Sequence, residues 1–230
     1  MHMVKTSGRY SGPPFACGFV RRRRSLLLSL GGLTAITLGA CGRSKPEQAV
    51  SKPETAVDKP AKFKGIYISN ADFGQDFRLA DTAGRERTVA DFKGKAVVVF
   101  FGFTQCPDVC PTALTRAAEI KRLLGADGDR LQVVFITIDP ERDTSEVLAA
   151  YVTAFDPSFI ALRGDLDQTA QTAKDFRVFY MKVPTGSSYT MDHSTLSYVY
   201  APQGKLRLVL RHQQTAEDCA ADLRQVLQSA

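Results

Sequence analysis

The segment FGFTQCPDVCPTAL, residues 101–114, sets Cys106 and Cys110 four positions apart, between an apolar run and the opening of a helical pattern. Two thiols at that spacing allow three chemistries: a structural disulfide, a redox couple, or part of a metal site. If the intervening residues are near-helical, four steps rise about 6 Å, inside the roughly 4.4–6.8 Å Cα window of a disulfide. Such a bridge closes a very short loop and removes little entropy from the unfolded chain, which disfavours a purely structural staple even in an oxidising compartment. A helix N-terminus favours thiolate over thiol through its unpaired N–H groups and partial positive charge. Cysteines so placed fall from a pKa of about 8.5 to roughly 3.5–7.5, making both sulfurs good nucleophiles and good metal ligands. Pro111 suits that first turn, where its missing N–H is no loss. The thiolates alone leave redox and metal chemistry unseparated.

Histidine is the discriminating residue type. After the leader only His193 and His212 remain. His212 follows the strand-like LRLVL amid polar neighbours and reads as a solvated strand end. His193 lies in YTMDHSTLSYVY, in a loop just before a strand, with Asp192 beside it. Alone it would be an ordinary loop residue. Two thiolates and a neutral imidazole make a soft three-ligand set that suits Cu(I), for which copper generally outcompetes zinc; zinc would want a fourth ligand. Cys219 falls in register with Leu223, Val226 and Leu227 on one helix stripe, the pattern of a core-facing side, and free cysteine is commonly a small buried hydrophobe.

These residues need elements to hold them. KAVVVFFGF (95–103) and LQVVFITI (131–138) are near-continuous apolar runs, read as central strands of a sheet covered on both faces. PTALTRAAEIKRLLGADG (111–128) between them has helical spacing and ends in glycine, giving a strand–helix–strand unit and parallel neighbours. Residues 144–155 and 166–176 read as further helices, with short strands at FIALRG and VFYMKV. TLSYVYAP and KLRLVLRH, separated by QG, read as a hairpin, and TAEDCAADLRQVLQ as a closing amphipathic helix. DFRLADTAGRERTV (76–89) reads as an N-terminal hairpin extension turning at TAG. The expectation is an α/β fold, a mixed central sheet flanked by helices on both faces.

Upstream, residues 1–40 read as a signal peptide: a cationic segment ending in RRRR, then a 16-residue apolar run ending at Ala40, just before Cys41. That run is shorter than the roughly 20 residues of a spanning helix. Leu38-Gly39-Ala40-Cys41 resembles the bacterial lipobox, with Cys41 as the lipid-modified first residue of the mature chain. Arg23-Arg24-Ser25-Leu26-Leu27 resembles a twin-arginine export signal, though a plain cationic leader explains it equally well. Residues 41–62, rich in Pro, Lys, Glu and Ala, read as a tether, and residues 63–230 as one domain. The leader carries six of the 30 basic residues and none of the acidic ones, leaving 24 basic against 24 acidic from Cys41 onward. A neutral mature chain has no basic face for nucleic acid.

FGFTQCPDVCP, ITIDPERDT at 136–144 and DHS at 192–194 together resemble the Sco/SenC family of membrane-anchored copper-binding proteins, in the expected order from about Phe73 to the last helix. The resemblance implies a thioredoxin-like fold in which Cys106, Cys110 and His193 bind one copper ion, as Cu(I) or Cu(II). It implies a copper metallochaperone that helps assemble the binuclear copper site of cytochrome c oxidase subunit II, by delivering copper, by reducing the acceptor's cysteines, or both. It also implies export and a lipid anchor at the periplasmic face of the inner membrane. Asp139 matches an acidic position near the family's site and is carried as a residue behind the ligands or one that docks the partner. The simpler reading of DPERDT, compatible with this, is a capped turn with Asp143 or Thr144 as N-cap. Met191 stands where the family more often has an aliphatic residue; packing is its simplest role and a weak extra ligand the other.

Two other functions stay open: a thiol:disulfide oxidoreductase in which Cys106 attacks and Cys110 resolves, and a copper or redox sensor. The chain has no tryptophan, so it lacks the Trp before the first cysteine of a thioredoxin site. Ser194, beside His193, stands where thioredoxins keep a proline, and Thr104 is not at the Thr-x-x-Cys spacing of peroxiredoxins.

Overall fold

The two apolar runs become the centre of a sheet in the computed structural model, which describes residues 62–228; the leader, Cys41 and the tether up to residue 61 lie outside the described residues. The strands are β1 (Ile66–Tyr67), β2 (Leu79–Asp81), β3 (Glu86–Arg87), β4 (Ala96–Gly102), β5 (Leu131–Thr137), β6 (Ile160–Arg163), β7 (Tyr180–Thr185), β8 (Ser188–His193), β9 (Ser197–Tyr200) and β10 (Leu206–Leu210). The helices are α1 (Val109–Leu124), α2 (Ser145–Thr153), α3 (Leu166–Asp175) and α4 (Ala216–Gln228). One eight-stranded sheet runs in the order β1-β10-β9-β4-β5-β6-β2-β3, and β7 and β8 form a separate two-stranded ribbon.

Every residue of β4 and β5 is buried, as expected of strands covered on both faces. They pair in parallel with Phe100 opposite Phe135, and β5 pairs in parallel with β6. β9 runs antiparallel to β4, so the sheet is mixed. Phe100 and Phe135 lie side by side on one face, where Phe135 meets Tyr151 of α2 at 5.8 Å between ring centroids. α1 shares that face, and α4 packs on α1 and β4. On the other face Phe101 packs at 5.1 Å on Phe176, which follows α3.

The hairpin at 76–89 forms as β2–β3, and β2 also pairs with β6, so it extends the central sheet instead of standing apart from it. α1 starts at Val109, two residues ahead of the expected Pro111, and gives way at Gly125 to a 3₁₀ stretch. VFYMKV is no neighbour of the central strands: it contributes to β7, whose partner β8 occupies a stretch read as loop. Tyr189, Met191 and His193 of β8 point inward while Ser188 and Asp192 are exposed. The alternation exists, but with only two apolar side chains it is too weak to announce a strand. The two-residue turn Gly186-Ser187 joins the ribbon, with Gly186 at φ 62, where a side chain would be strained.

Candidate metal centre

The cysteines stand where β4 ends. Phe103 is buried, and the Thr104 N–H and hydroxyl donate to the Asp143 carboxylate at 3.2 and 2.6 Å. Asp143 also receives the Thr137 hydroxyl at 2.6 Å, at the end of β5. This fully buried carboxylate therefore ties the loop before Cys106 to the neighbouring strand. Burial pushes its carboxyl above the usual range, and the donors work against that shift. Cys106 is half-buried and donates its N–H to the Phe103 carbonyl at 3.3 Å. Cys110, in the first turn of α1, is completely buried, and its N–H points at Cys106 Sγ at 3.5 Å.

Gly102 makes room for that sulfur. A Cβ there would stand 2.7 Å from Cys110 Sγ and 2.9 and 3.0 Å from the Phe135 and Phe100 rings. An isolated glycine in a strand pattern is the signal that could have exposed this close approach.

His193 closes β8, its Cα paired with Tyr180, and so is a strand residue and not the loop residue expected. Its Nδ1 lies 2.8 Å from the Ser194 carbonyl. Only a protonated Nδ1 satisfies that contact, which leaves Nε2 with its lone pair free. Nε2 faces Cys110 Sγ at 3.8 Å. The rings of Phe100 and Phe103 meet the imidazole edgewise at 6.2 and 5.9 Å, fixing its plane. Ser194 is pinned in turn: its N–H donates to the Phe179 carbonyl at 2.9 Å and its hydroxyl accepts from the Phe179 N–H at 3.0 Å.

Two sulfurs and an imidazole nitrogen thus converge, all within 4.8 Å of one another, and both cysteines are free thiols. The pair shares its protons unequally. A hydrogen bond from Cys110, then backbone N–H groups, lower the Cys106 thiol to about 5 against the cost of burial. The same contact, with deeper burial, pushes Cys110 well above the ordinary thiol range. Of the two sulfurs, Cys106 gives up its proton the more readily and Cys110 keeps its own. A metal ion bound here would displace the Cys110 proton, and both thiolates and Nε2 could then hold it. The set fits a soft ion of low coordination number; among the described residues no carboxylate joins the trio to complete a zinc tetrahedron.

The other sequence-predicted residues fall elsewhere. Asp139 is 1% exposed and has no surface to offer a partner. It binds the Arg142 guanidinium and accepts the Tyr189 hydroxyl at 2.8 Å. Thr144 is the N-cap of α2, its Oγ1 accepting from the Val147 N–H. Met191 is buried in the core and Asp192 faces away from the site on the ribbon's exposed side. Cys219 is fully buried. His212 is partly buried rather than a solvated strand end, its Nδ1 enclosed and its carbonyl bound by Arg116. Cys41 lies outside the described residues. Sequence reasoning missed Gly102, Arg142 and Tyr189, and saw Asp143 only as a cap.

The SCO1/SenC family model matches residues 67–228. A mitochondrial SCO2 homolog of Bos taurus is 38% identical over 162 residues, covering 68% of this chain; the chain spans only 61% of that relative's length. The structure of Bradyrhizobium japonicum ScoI with copper bound is 40% identical, with a TM-score of 0.62 over 68% of this chain and 99% of that one. A SCO1/SenC family lipoprotein from Bacillus anthracis is 26% identical, with a TM-score of 0.57 over 66% of this chain and 92% of that one. Their thioredoxin-like architecture is the α/β arrangement described above, with the cysteine pair at the end of a central strand. The chain belongs to the SCO1/SenC family.

Proposed function

We propose that this domain is a copper metallochaperone that takes one copper ion, Cu(I) or Cu(II), through Cys106, Cys110 and His193. The observation that carries the reading is the convergence of the three donor atoms within 4.8 Å, on a chain 40% identical to a ScoI protein solved with copper. The acceptor in this reading is the binuclear copper site of cytochrome c oxidase subunit II. Transfer is ligand exchange: each incoming acceptor ligand bonds to copper as one of the chain's donors leaves, and the oxidation state of the ion is unchanged. The chain's own residues supply the thiolates, the oriented Nε2 and the apolar walls of Phe100 and Phe103 that limit water. Cleavage before Cys41 and lipid attachment there would hold the domain at the periplasmic face of the inner membrane on its tether. The Bacillus anthracis lipoprotein supports the lipid anchor of this reading.

A second reading has its own support: Cys106 is the more exposed sulfur and the more acidic thiol. Its thiolate attacks an acceptor disulfide to form a mixed disulfide, and Cys110 resolves it. The acceptor leaves as a dithiol and the chain is left with a Cys106–Cys110 disulfide.

Anaerobic Cu(I) titration of the reduced chain separates the two. One equivalent should bind, and His193→Ala should weaken binding strongly. Unchanged affinity in His193→Ala, with disulfide reduction intact, would overturn the copper reading in favour of the second.

A further inference from the structure

His193 stands on a two-stranded ribbon that forms no ladder with the eight-stranded sheet. Isolated two-stranded hairpins are marginal in water, so side chains must hold this one in register with the sulfurs. Met191 packs into the core beneath it. The polar grip comes from the turn after β5, and it converges on Arg142. Arg142 Nη1 donates to the backbone carbonyl of Tyr189, in the strand that carries His193, at 2.8 Å. The same nitrogen donates to Gln105 Oε1, next to Cys106, at 3.0 Å. The guanidinium lies 3.7 Å from the centroid of the Tyr189 ring and 5.9 Å from that of Phe103, whose ring meets His193. Its Nε pairs with Asp139, which also takes the Tyr189 hydroxyl.

One side chain thus touches the loop of the first cysteine and the strand of the histidine, and is backed by a buried carboxylate. We propose that Arg142 is the positioning residue of the metal centre: it contacts no donor atom, yet sets the distance between the imidazole and the two sulfurs. The proposal rests on the copper reading above. A planar fork is needed for it, because only a guanidinium can stack on Tyr189, pair with Asp139 and still donate to both Gln105 and the Tyr189 carbonyl.

Arg142→Lys keeps a cation beside Asp139 and removes the fork. Cu(I) affinity of the full chain, measured by competition with a chelator, should fall by about 10- to 100-fold, the range for partners that orient metal ligands. The same substitution in a His193→Ala chain should change affinity little, since the ligand through which Arg142 acts is gone. Equal losses in both backgrounds, or no loss in the parent, would overturn the proposal. Should Arg142→Lys fail to fold, Gln105→Ala decides instead. It cuts the loop end of the tie at an exposed residue, and should weaken copper in the parent but not in His193→Ala; unchanged affinity in the parent sinks the idea. If His193→Ala by itself leaves copper binding unaffected, it is the copper reading that has failed, and that outcome is read before the Arg142 comparison is made.

Discussion

The sulfurs and the imidazole are held by different physics. The cysteines follow β4, which pairs with β5, two strands with no exposed residue, and Cys110 is itself completely buried. Their loop is fastened by Asp143, a carboxylate at 0% exposure that gathers donors from Thr104 and Thr137. The histidine's ribbon lies outside the main sheet; Met181 on it is 48% exposed, and Phe179 just before it 56%. It is held by buried Met191, by Tyr180 and Tyr189 packed against the core, and by side-chain ties, not by a ladder to the main sheet. Segments with fewer buried contacts open at lower free energy than a core strand. In the proposed copper reading, a three-donor site split this way has two firmly rooted donors and one on a more loosely held segment, the arrangement a carrier needs in order both to retain and to surrender an ion.

The strongest way to break the comparison is to disturb the rigid half. Gly102→Val places a branched side chain where even a Cβ would meet Cys110 Sγ at 2.7 Å and two aromatic rings within 3.0 Å. Overpacking of this kind costs about 1–3 kcal/mol, and the upper end applies here because neighbours on both sides are ring atoms in a packed layer. Chemical denaturation should show the whole domain destabilised, with copper binding lost at the same time. A variant of full stability would mean the sulfur pocket is looser than its burial indicates.

A second test sharpens the contrast between the two thiols. Cys106 sits at about 5 chiefly through its hydrogen bond with Cys110, so alkylation of the copper-free chain should be near its plateau at pH 7 and fall with a midpoint near 5. Cys110 should stay unreactive through that range, its thiol being raised. Cys110→Ala removes the leading cause and should carry the Cys106 midpoint up toward the ordinary thiol range. The linkage has a definite sign. Between the folded value and the higher unfolded one, the unfolded chain carries a proton on Cys106 that the folded chain lacks. This thiol therefore favours the fold most above its unfolded pKa, and that contribution is lost as pH falls through about 5. Cys110 works in the opposite sense: its contribution is full below the unfolded value and is lost as pH rises above it.

The same division explains what could be read without coordinates. β4, β5 and the helix between them declare themselves because burial on both faces demands long apolar runs, and the cysteine loop is legible because it joins them. β8 does not, since its inward residues Tyr189, Met191 and His193 alternate with short polar ones over six positions. His193 is legible as one of the two histidines after the leader that could join the thiols, and then through the Asp192-His193-Ser194 triplet that carries the family likeness, not through any periodicity. The grip of Arg142 on Tyr189 spans 47 residues and leaves no local trace in either segment. Asp143 hid for another reason: an acidic residue before a helix is so common as a cap that its burial under two threonines goes unsuspected.

The smallest effect is expected at a more exposed polar tie of the ribbon, and it asks whether any anchor would do. Lys182 of β7 pairs with Glu141 and lies over the Tyr189 ring at 4.7 Å. Both charged side chains are 46% exposed, so water and salt screen their attraction, and holding two long side chains together costs entropy. Glu141 raises the Lys182 ammonium above its usual range, but at so exposed a position that shift carries little weight for stability. Lys182→Gln should therefore move Cu(I) affinity by less than about twofold, and the difference should vanish at high salt. A loss matching that of Arg142→Lys would show that the ribbon answers to the number of its anchors. The small loss expected here means that it answers to where they are buried.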